Sequence, residues 1–278
     1  MISSADTVDE SQHHGSSGAT LRKYAALVRA SMRRTVAERG DLLARLFFYY
    51  ALLFIFGQFW KAVLALDTGL QYSHAQMLWY LAVTEWVILS LPDLHLRMEE
   101  DARSGDVVYR LSRPISYFWG KVAEGVGALA VRLAVIGTGG FVGTALMVGF
   151  PLELEACAAI AITGIIASGI GLLSLAMVGL TGIWLRDVSP TFLVWQKLTF
   201  VLGGLILPLE IYPHWLRTIA EWTPFHATLY AAGRWALSVD GLTLARTVAV
   251  QVGWLLLLTM LAQWIARRAI RRLEKRGE

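Results

Sequence analysis

A single cysteine, Cys157, stands in 278 residues, so no disulfide can form within the chain, and its place at the start of an apolar run suits a small buried side chain. The six histidines, His13, His14, His74, His95, His214 and His226, all fall outside the long apolar runs. No ligand cluster for a metal is spaced along the chain, and Ser168 within its apolar run has no histidine partner for nucleophilic catalysis. The five lysines are followed by Tyr24, Ala62, Val122, Leu198 and Arg276, never by Ser or Thr, so the lysine-bearing loop that cradles the phosphates of ATP is missing. Charge is thin as well, at 17% of residues. Together these absences argue against an enzyme.

What is present is apolar bulk. The chain is 56% hydrophobic with eleven tryptophans and a mean hydropathy of +0.53, too apolar for a soluble domain of this length. Crossing a hydrocarbon core of roughly 30 Å takes about 20 apolar residues, and six runs approach that length: 46–66, 75–91, 122–149, 156–185, 191–211 and 247–266. Lipid offers the backbone no hydrogen-bond partner, so each is expected to be a helix. The short alternating segments of a barrel are absent. The expectation is an all-α polytopic membrane protein with six transmembrane helices.

The charges sort by side. Arg22, Lys23, Arg29, Arg33, Arg34, Arg39 and Arg45 precede the first run, Arg97, Arg103, Arg110, Arg113 and Lys121 follow the second, Arg186 follows the fourth, and Arg267, Arg268, Arg271, Arg272, Lys275 and Arg276 close the chain. By the positive-inside rule these segments and both termini are cytoplasmic. Basic membrane flanks explain the net charge of +4 without a nucleic-acid partner.

Residues 1–19, rich in Ser, Gly, His and acid, read as a disordered tail and not as a cleaved signal. Residues 21–39 set Leu21, Tyr24, Ala25, Val28, Met32 and Val36 on one helical face with arginines off it, the pattern of an interfacial elbow helix. Glu85 in the second run and Arg132 in the third are opposite charges on consecutive antiparallel helices. They are candidates for a buried pair or for contact with something crossing the membrane, because an unpaired charge there costs roughly 2.5 to 3.5 kcal/mol. The fourth run is dense in small residues, with Gly164 and Ser168 in a small-xxx-small step that lets helix backbones approach. Between the fifth and sixth runs, residues 212–246 are too long and too aromatic for a plain connection. With Pro213 placed to open a helix and Pro224 to close it, they read as an outer re-entrant helical hairpin.

The charged stretch 92–121 interrupts the apolar chain. Asp93 is a candidate helix N-cap, Leu94, Met98 and Ala102 form an apolar stripe, and Gly105 suits a left-handed stop. Arg97 with Asp101 and Glu99 with Arg103 are spaced to pair at i, i+4. Such a helix is either a solvated, self-paired surface or a docking helix whose stripe enters a groove on a cytoplasmic partner.

The order of parts, with the stretches DARSGDVVYRLSRPISYFWGKVAE (101–124) and WQKLTFVLGGLILPLEIYPHWLRTIAEWTPF (195–225), resembles the bacterial six-span permease subunit of ABC-2 type transporters. The agreement runs over about residues 21–272, most of the chain, leaving 20–272 as the transmembrane domain and 273–278 as a basic tail. The resemblance implies a multi-pass protein of the bacterial plasma membrane, two permease subunits of the same or different chain forming a pathway, and a separate ABC ATPase that holds ATP and magnesium. No cofactor is implied on this chain. By the same resemblance the 92–121 loop carries the coupling helix, assigning ATPase contact to Leu94, Arg97, Met98, Glu99, Asp101, Ala102, Arg103, Ser104 and Gly105. The implied transport is outward, of an amphipathic or hydrophobic substrate, with Glu85 and Arg132 as candidate polar contacts. A membrane-anchored scaffold or regulator, or a secondary transporter, is the alternative, although the two matching halves usual in secondary transporters are not seen.

Overall fold

The computed structural model describes residues 6–66, 70, 72–111, 115–185, 187–237 and 241–277, with the side chains of 6–17, 108, 110–111, 241–243, 270 and 272–277 outside that description. Arg113 and Arg186, and the side chains of Arg110, Arg272, Lys275 and Arg276, therefore lie outside the described residues. The described residues are all helical or irregular, without strands.

Among the described residues eleven α-helices run in order: α1 Asp6–Ala37, α2 Arg39–Ala65, α3 His74–Ser90, α4 Leu94–Ser104, α5 Asp106–Leu111, α6 Tyr117–Val148, α7 Leu154–Leu180, α8 Ser189–Leu202, α9 His214–Glu221, α10 Tyr230–Gly233 and α11 Gly241–Gly277. Five stretches among the described residues are long and apolar enough to cross a membrane: Arg39–Ala65, His74–Ser104, Tyr117–Val148, Leu154–Ile183 and Leu244–Ala269. The fifth expected span is different. Helix α8 has 14 residues, about 21 Å at about 1.5 Å per residue, and stops at Gly203–Gly204, where Gly204 takes φ +67° and the chain turns irregularly through Pro208. Helix α1 begins at Asp6, inside the stretch expected to be disordered, and the helix of α11 runs on through the basic tail to Gly277.

Helix α3 is the centre of the bundle. Every residue from Met77 to Val87 is buried, and α2, α6, α7 and α10 surround it. A helix apolar all round needs neighbours on every side, and here the neighbours make room with small residues. Trp86 lies across α6 and α7: its Nε1 donates to the Leu133 carbonyl at 2.9 Å, and a Cβ on Gly164 would come within 2.4 Å of its ring. Helix α11 is tied in by Gln251, which is fully buried and donates from Nε2 to the Thr163 carbonyl of α7 and the Ala227 carbonyl before α10 at 3.0 and 2.9 Å.

Helix α1 lies along the start of α6, where the Ser31 hydroxyl donates to the Glu124 carbonyl at 2.6 Å. Its expected single apolar face is divided. Tyr24 and Val28 turn toward the protein with Ser31 and Thr35, while Leu21, Ala25, Met32 and Val36 form an exposed stripe beside Arg22, Arg29 and Arg33.

Substituting Gly164 by Val overpacks the α7–Trp86 contact, and the expected cost is about 1 to 3 kcal/mol, read as a lower melting temperature of the detergent-solubilised protein. An unchanged melt would mean that α7 and α3 do not meet there.

Candidate functional site

The break between α3 and α4 is built by charge. Leu91 leaves helical geometry and Pro92 comes next, so the last carbonyls of α3 lose their intrahelical donors. Two arginines replace those donors: Arg45 Nη1 donates to the Leu89 carbonyl at 3.1 Å and Arg132 Nη1 to the Leu91 carbonyl at 2.9 Å. The same guanidinium groups hold two carboxylates. Asp41 accepts from Arg45 Nε at 3.1 Å and from Arg132 Nη2 at 2.9 Å, and Asp93 accepts from Arg45 Nη2 at 2.6 Å and lies 3.5 Å from Arg132 Nη2.

This cluster changes two expectations. Asp93 occupies the N-cap position of α4 but makes no capping hydrogen bond with its side chain, which is engaged by the arginines. Arg132 is paired with Asp41 and Asp93 and not with Glu85, to which no hydrogen bond or ion pair is made among the described residues. Asp41 was missed because it lies outside the apolar runs, four residues before Arg45.

Helix α4 is amphipathic as expected, and Gly105 ends it at φ +79°. Its stripe, however, faces the protein. Leu94 and Met98 are buried, Ala102 is half-buried, and the helix rests on the end of α7, where a Cβ on Gly179 would meet Met98 Sδ at 2.8 Å and the His95 backbone at 3.2 Å. The sequence could not distinguish an inward stripe from a docking stripe, because both need the same spacing. Glu99 and Arg103 pair at 2.6 Å as expected. Arg97 and Asp101 do not pair with each other: Arg97 reaches Glu38 at 4.0 Å, and Asp101 takes Lys121 Nζ at 2.7 Å and the Tyr117 hydroxyl at 3.1 Å, both from α6. What α4 presents outward is Leu96, Glu100, Arg103, Ser104 and Gly105, with Leu96 49% exposed. Leu96 and Glu100 were not among the residues singled out from sequence.

Beside this junction, residues of α2, α3 and α8, with Leu175 of α7, line a half-open cavity of about 450 Å³. Arg45, Asp93 and His95 line one end of it, Glu85 lines it within the span of α3, and Phe48, Phe192, Trp195 and Phe200 are among its walls. The His95 imidazole is stacked on Phe192 with ring centroids 4.0 Å apart. Its size falls in the range of small-molecule sites, roughly 300 to 1,000 Å³.

At the opposite end of the bundle, α10 packs back onto α3 and α9 lies against α8. Thr84 donates to the Leu205 carbonyl at 2.9 Å, and Tyr80 donates to the Gly204 carbonyl, so the irregular turn after α8 is fastened to the central helix. Helix α9 starts after Pro213 and ends before Pro224, with Trp215, Ile219 and Trp222 exposed along one face. Below it a pocket of about 270 Å³ is lined by Arg217, His226, Arg234 and Arg246. Burial holds the His226 imidazole well below its ordinary value, at about 4, with the nearby Arg234 and Arg217 pushing the same way and Glu221 opposing them.

These features define a class: a polytopic helical membrane protein with a short charged helix locked across one end of its bundle and an apolar cavity beside it. The chain belongs to a family described as ABC-2 family transporter protein, whose model matches residues 46–277. It is therefore a multi-pass membrane permease of the ABC transporter class, a class that works with a separate ABC ATPase subunit. No curated protein sequence matches the chain.

Replacing Lys121 by Met breaks the buried Lys121–Asp101 pair and is expected to lower the melting temperature of the detergent-solubilised protein, because part of the carboxylate's desolvation is no longer repaid. Acid should act at the other end of the bundle. The unfolded chain protonates His226 near about pH 6.5 while the folded chain does not until about 4, so its contribution is present above that window and lost as pH falls through it, up to about 3 kcal/mol. His226→Gln should flatten the fall in melting temperature between those values.

Proposed function

We propose that this chain is the membrane half of an ATP-driven exporter of amphipathic or hydrophobic molecules, with α4 as the element that receives force from the ATPase. The observation that carries this reading is the way α4 is held. One face is buried on α7 and anchored by the Lys121–Asp101 pair, while Leu96, Glu100 and Arg103 remain outside, so a push on that face moves α3, α6 and α7 with it. A helix fastened by buried ion pairs transmits displacement as a rigid lever instead of rotating in place.

The remaining parts take their places from this assignment. Helix α1, with its exposed stripe beside Arg22, Arg29 and Arg33, lies at the lipid interface on the same side as α4. That side, which also carries the basic tail, is cytoplasmic, and the membrane is the bacterial plasma membrane. The fifth pass is α8 continued by the irregular stretch 203–211, and 212–246 is the re-entrant hairpin that closes the outer end. Two permeases, identical or different, form the pathway with membrane lipid around them. ATP and magnesium are held by the partner ATPase. The cavity beside α8, with its aromatic walls, is the substrate path, and Glu85 is the polar contact within it.

The test uses the outward face of α4. Leu96→Asp with Glu100→Arg should abolish co-purification of the ATPase from membranes while leaving insertion and melting temperature unchanged. Changing the buried Leu94 or Met98 would unfold the junction and test nothing. If the ATPase still co-purifies in full with the double variant, α4 is not the coupling element.

A further inference from the structure

We infer that the cavity between α2, α3 and α8 selects lipophilic cations, and that Glu85 is the residue that sets the sign of the charge it accepts. The inference rests on this cavity being the substrate path, and it names the substrate class.

Glu85 is 2% exposed and lies on the central helix between Thr84 and Trp86, within a span. Among the described residues no hydrogen bond or ion pair reaches its carboxyl group, although it lines the cavity wall. A carboxylate in such surroundings is costly unless a counter-charge accompanies it. The described residues supply none. The nearest cation that lines the same cavity, Arg45, has each of its nitrogens engaged: Nε by Asp41, Nη1 by the Leu89 carbonyl and Nη2 by Asp93. Arg132, the other deep cation, gives Nη1 to the Leu91 carbonyl and Nη2 to Asp41 and Asp93, and its buried Nε has no hydrogen-bond partner among the described residues. The ion cluster at the α3–α4 break thus pairs its two arginines with Asp41 and Asp93, and among the described residues Glu85 pairs with neither arginine. With Arg45 and Asp93 cancelling at the cavity's end, the charged groups of its lining sum to one negative charge when Glu85 is ionised.

The walls fit the same ligand. Phe48, Phe56, Phe192, Trp195 and Phe200 are among its walls, with Lys197 Nζ already 5.9 Å from the Phe200 ring centroid, and aromatic rings attract a desolvated cation and repel an anion. His95, the remaining titratable group of the lining, has its ring stacked on Phe192. A carboxylate with no partner among the described residues, in a cavity with aromatic walls, suits an amine, a quaternary ammonium or a phosphonium carried on an apolar body.

Tetraphenylphosphonium and tetraphenylborate have nearly the same shape and opposite charge, which makes them the probes. Binding to the full chain purified in a non-ionic detergent is measured by equilibrium dialysis, referenced to protein-free micelles. The phosphonium should bind saturably, and Glu85→Gln should weaken it about tenfold or more, as expected for loss of a charge-assisted contact, while leaving the borate unchanged or improved. Gln196→Lys, which adds a cation to the cavity wall without touching Glu85, should weaken the phosphonium selectively and keeps the test open if Glu85→Gln fails to fold. Equal effects on the two probes, or a phosphonium affinity that neither substitution alters, would overturn the inference. Because no ATPase is needed for binding, this failure is separate from that of the coupling assignment, which is read from co-purification.

Discussion

The ion cluster of Asp41, Arg45, Asp93 and Arg132 is the constraint on which the rest depends. A helix cannot end inside a membrane protein without leaving carbonyl groups unpaired, and α3 ends where Pro92 forbids continuation. Arg45 from α2 and Arg132 from α6 supply the missing donors, and Asp41 and Asp93 make the two guanidinium groups tolerable at that depth. The cluster thereby joins α2, α6 and the α3–α4 turn, and it fixes the direction in which α4 leaves the bundle. A hydrophobic contact would not have done this, since it lacks the directionality to satisfy particular carbonyls.

From that fixed departure comes the packing of α4. Its apolar stripe meets α7 at Gly179 and the turn after α7 at Gly182, whose missing side chains let the backbones approach, and Lys121 and Tyr117 hold Asp101 on the flank next to α6. The residues left facing outward are a short polar set around Leu96. A surface of this kind is suited to a partner that binds and releases, because exposed charges exchange readily with water while the buried pairs beneath keep the helix in place.

The same cluster shapes the cavity. By pairing both deep arginines with Asp41 and Asp93 it separates the charge that builds the fold from Glu85, which has no hydrogen bond or ion pair among the described residues and lines a cavity with aromatic walls. At the far end of the bundle, Tyr80 and Thr84 of the same central helix fasten the broken end of α8. Helix α3 is thus bound at one end to the ion cluster and at the other to the turn at Gly204, with the cavity alongside.

The sequence by itself determined what depends on composition along the chain. Apolar length gave the membrane helices, the end of α4 at Gly105 was legible because few other residues tolerate its backbone, and the Glu99–Arg103 pair followed from spacing within one helix. What depends on which helices become neighbours was not legible. Arg132 and Glu85 look like partners on consecutive spans, yet Arg132 turns to Asp41 and Asp93, which have no marker in a hydropathy pattern. The stripe Leu94, Met98 and Ala102 has the same period whether it faces a partner or its own α7, and only the packing against Gly179 decides. The fifth apolar run is long enough to be counted as a span despite its Gly203–Gly204 pair and Pro208, but tertiary hydrogen bonds to Gly204 and Leu205 hold it broken after 14 helical residues. Local order followed from residue type and spacing, while pairing and facing required the whole bundle, because they are set by groups far apart in the chain that compete for the same partners.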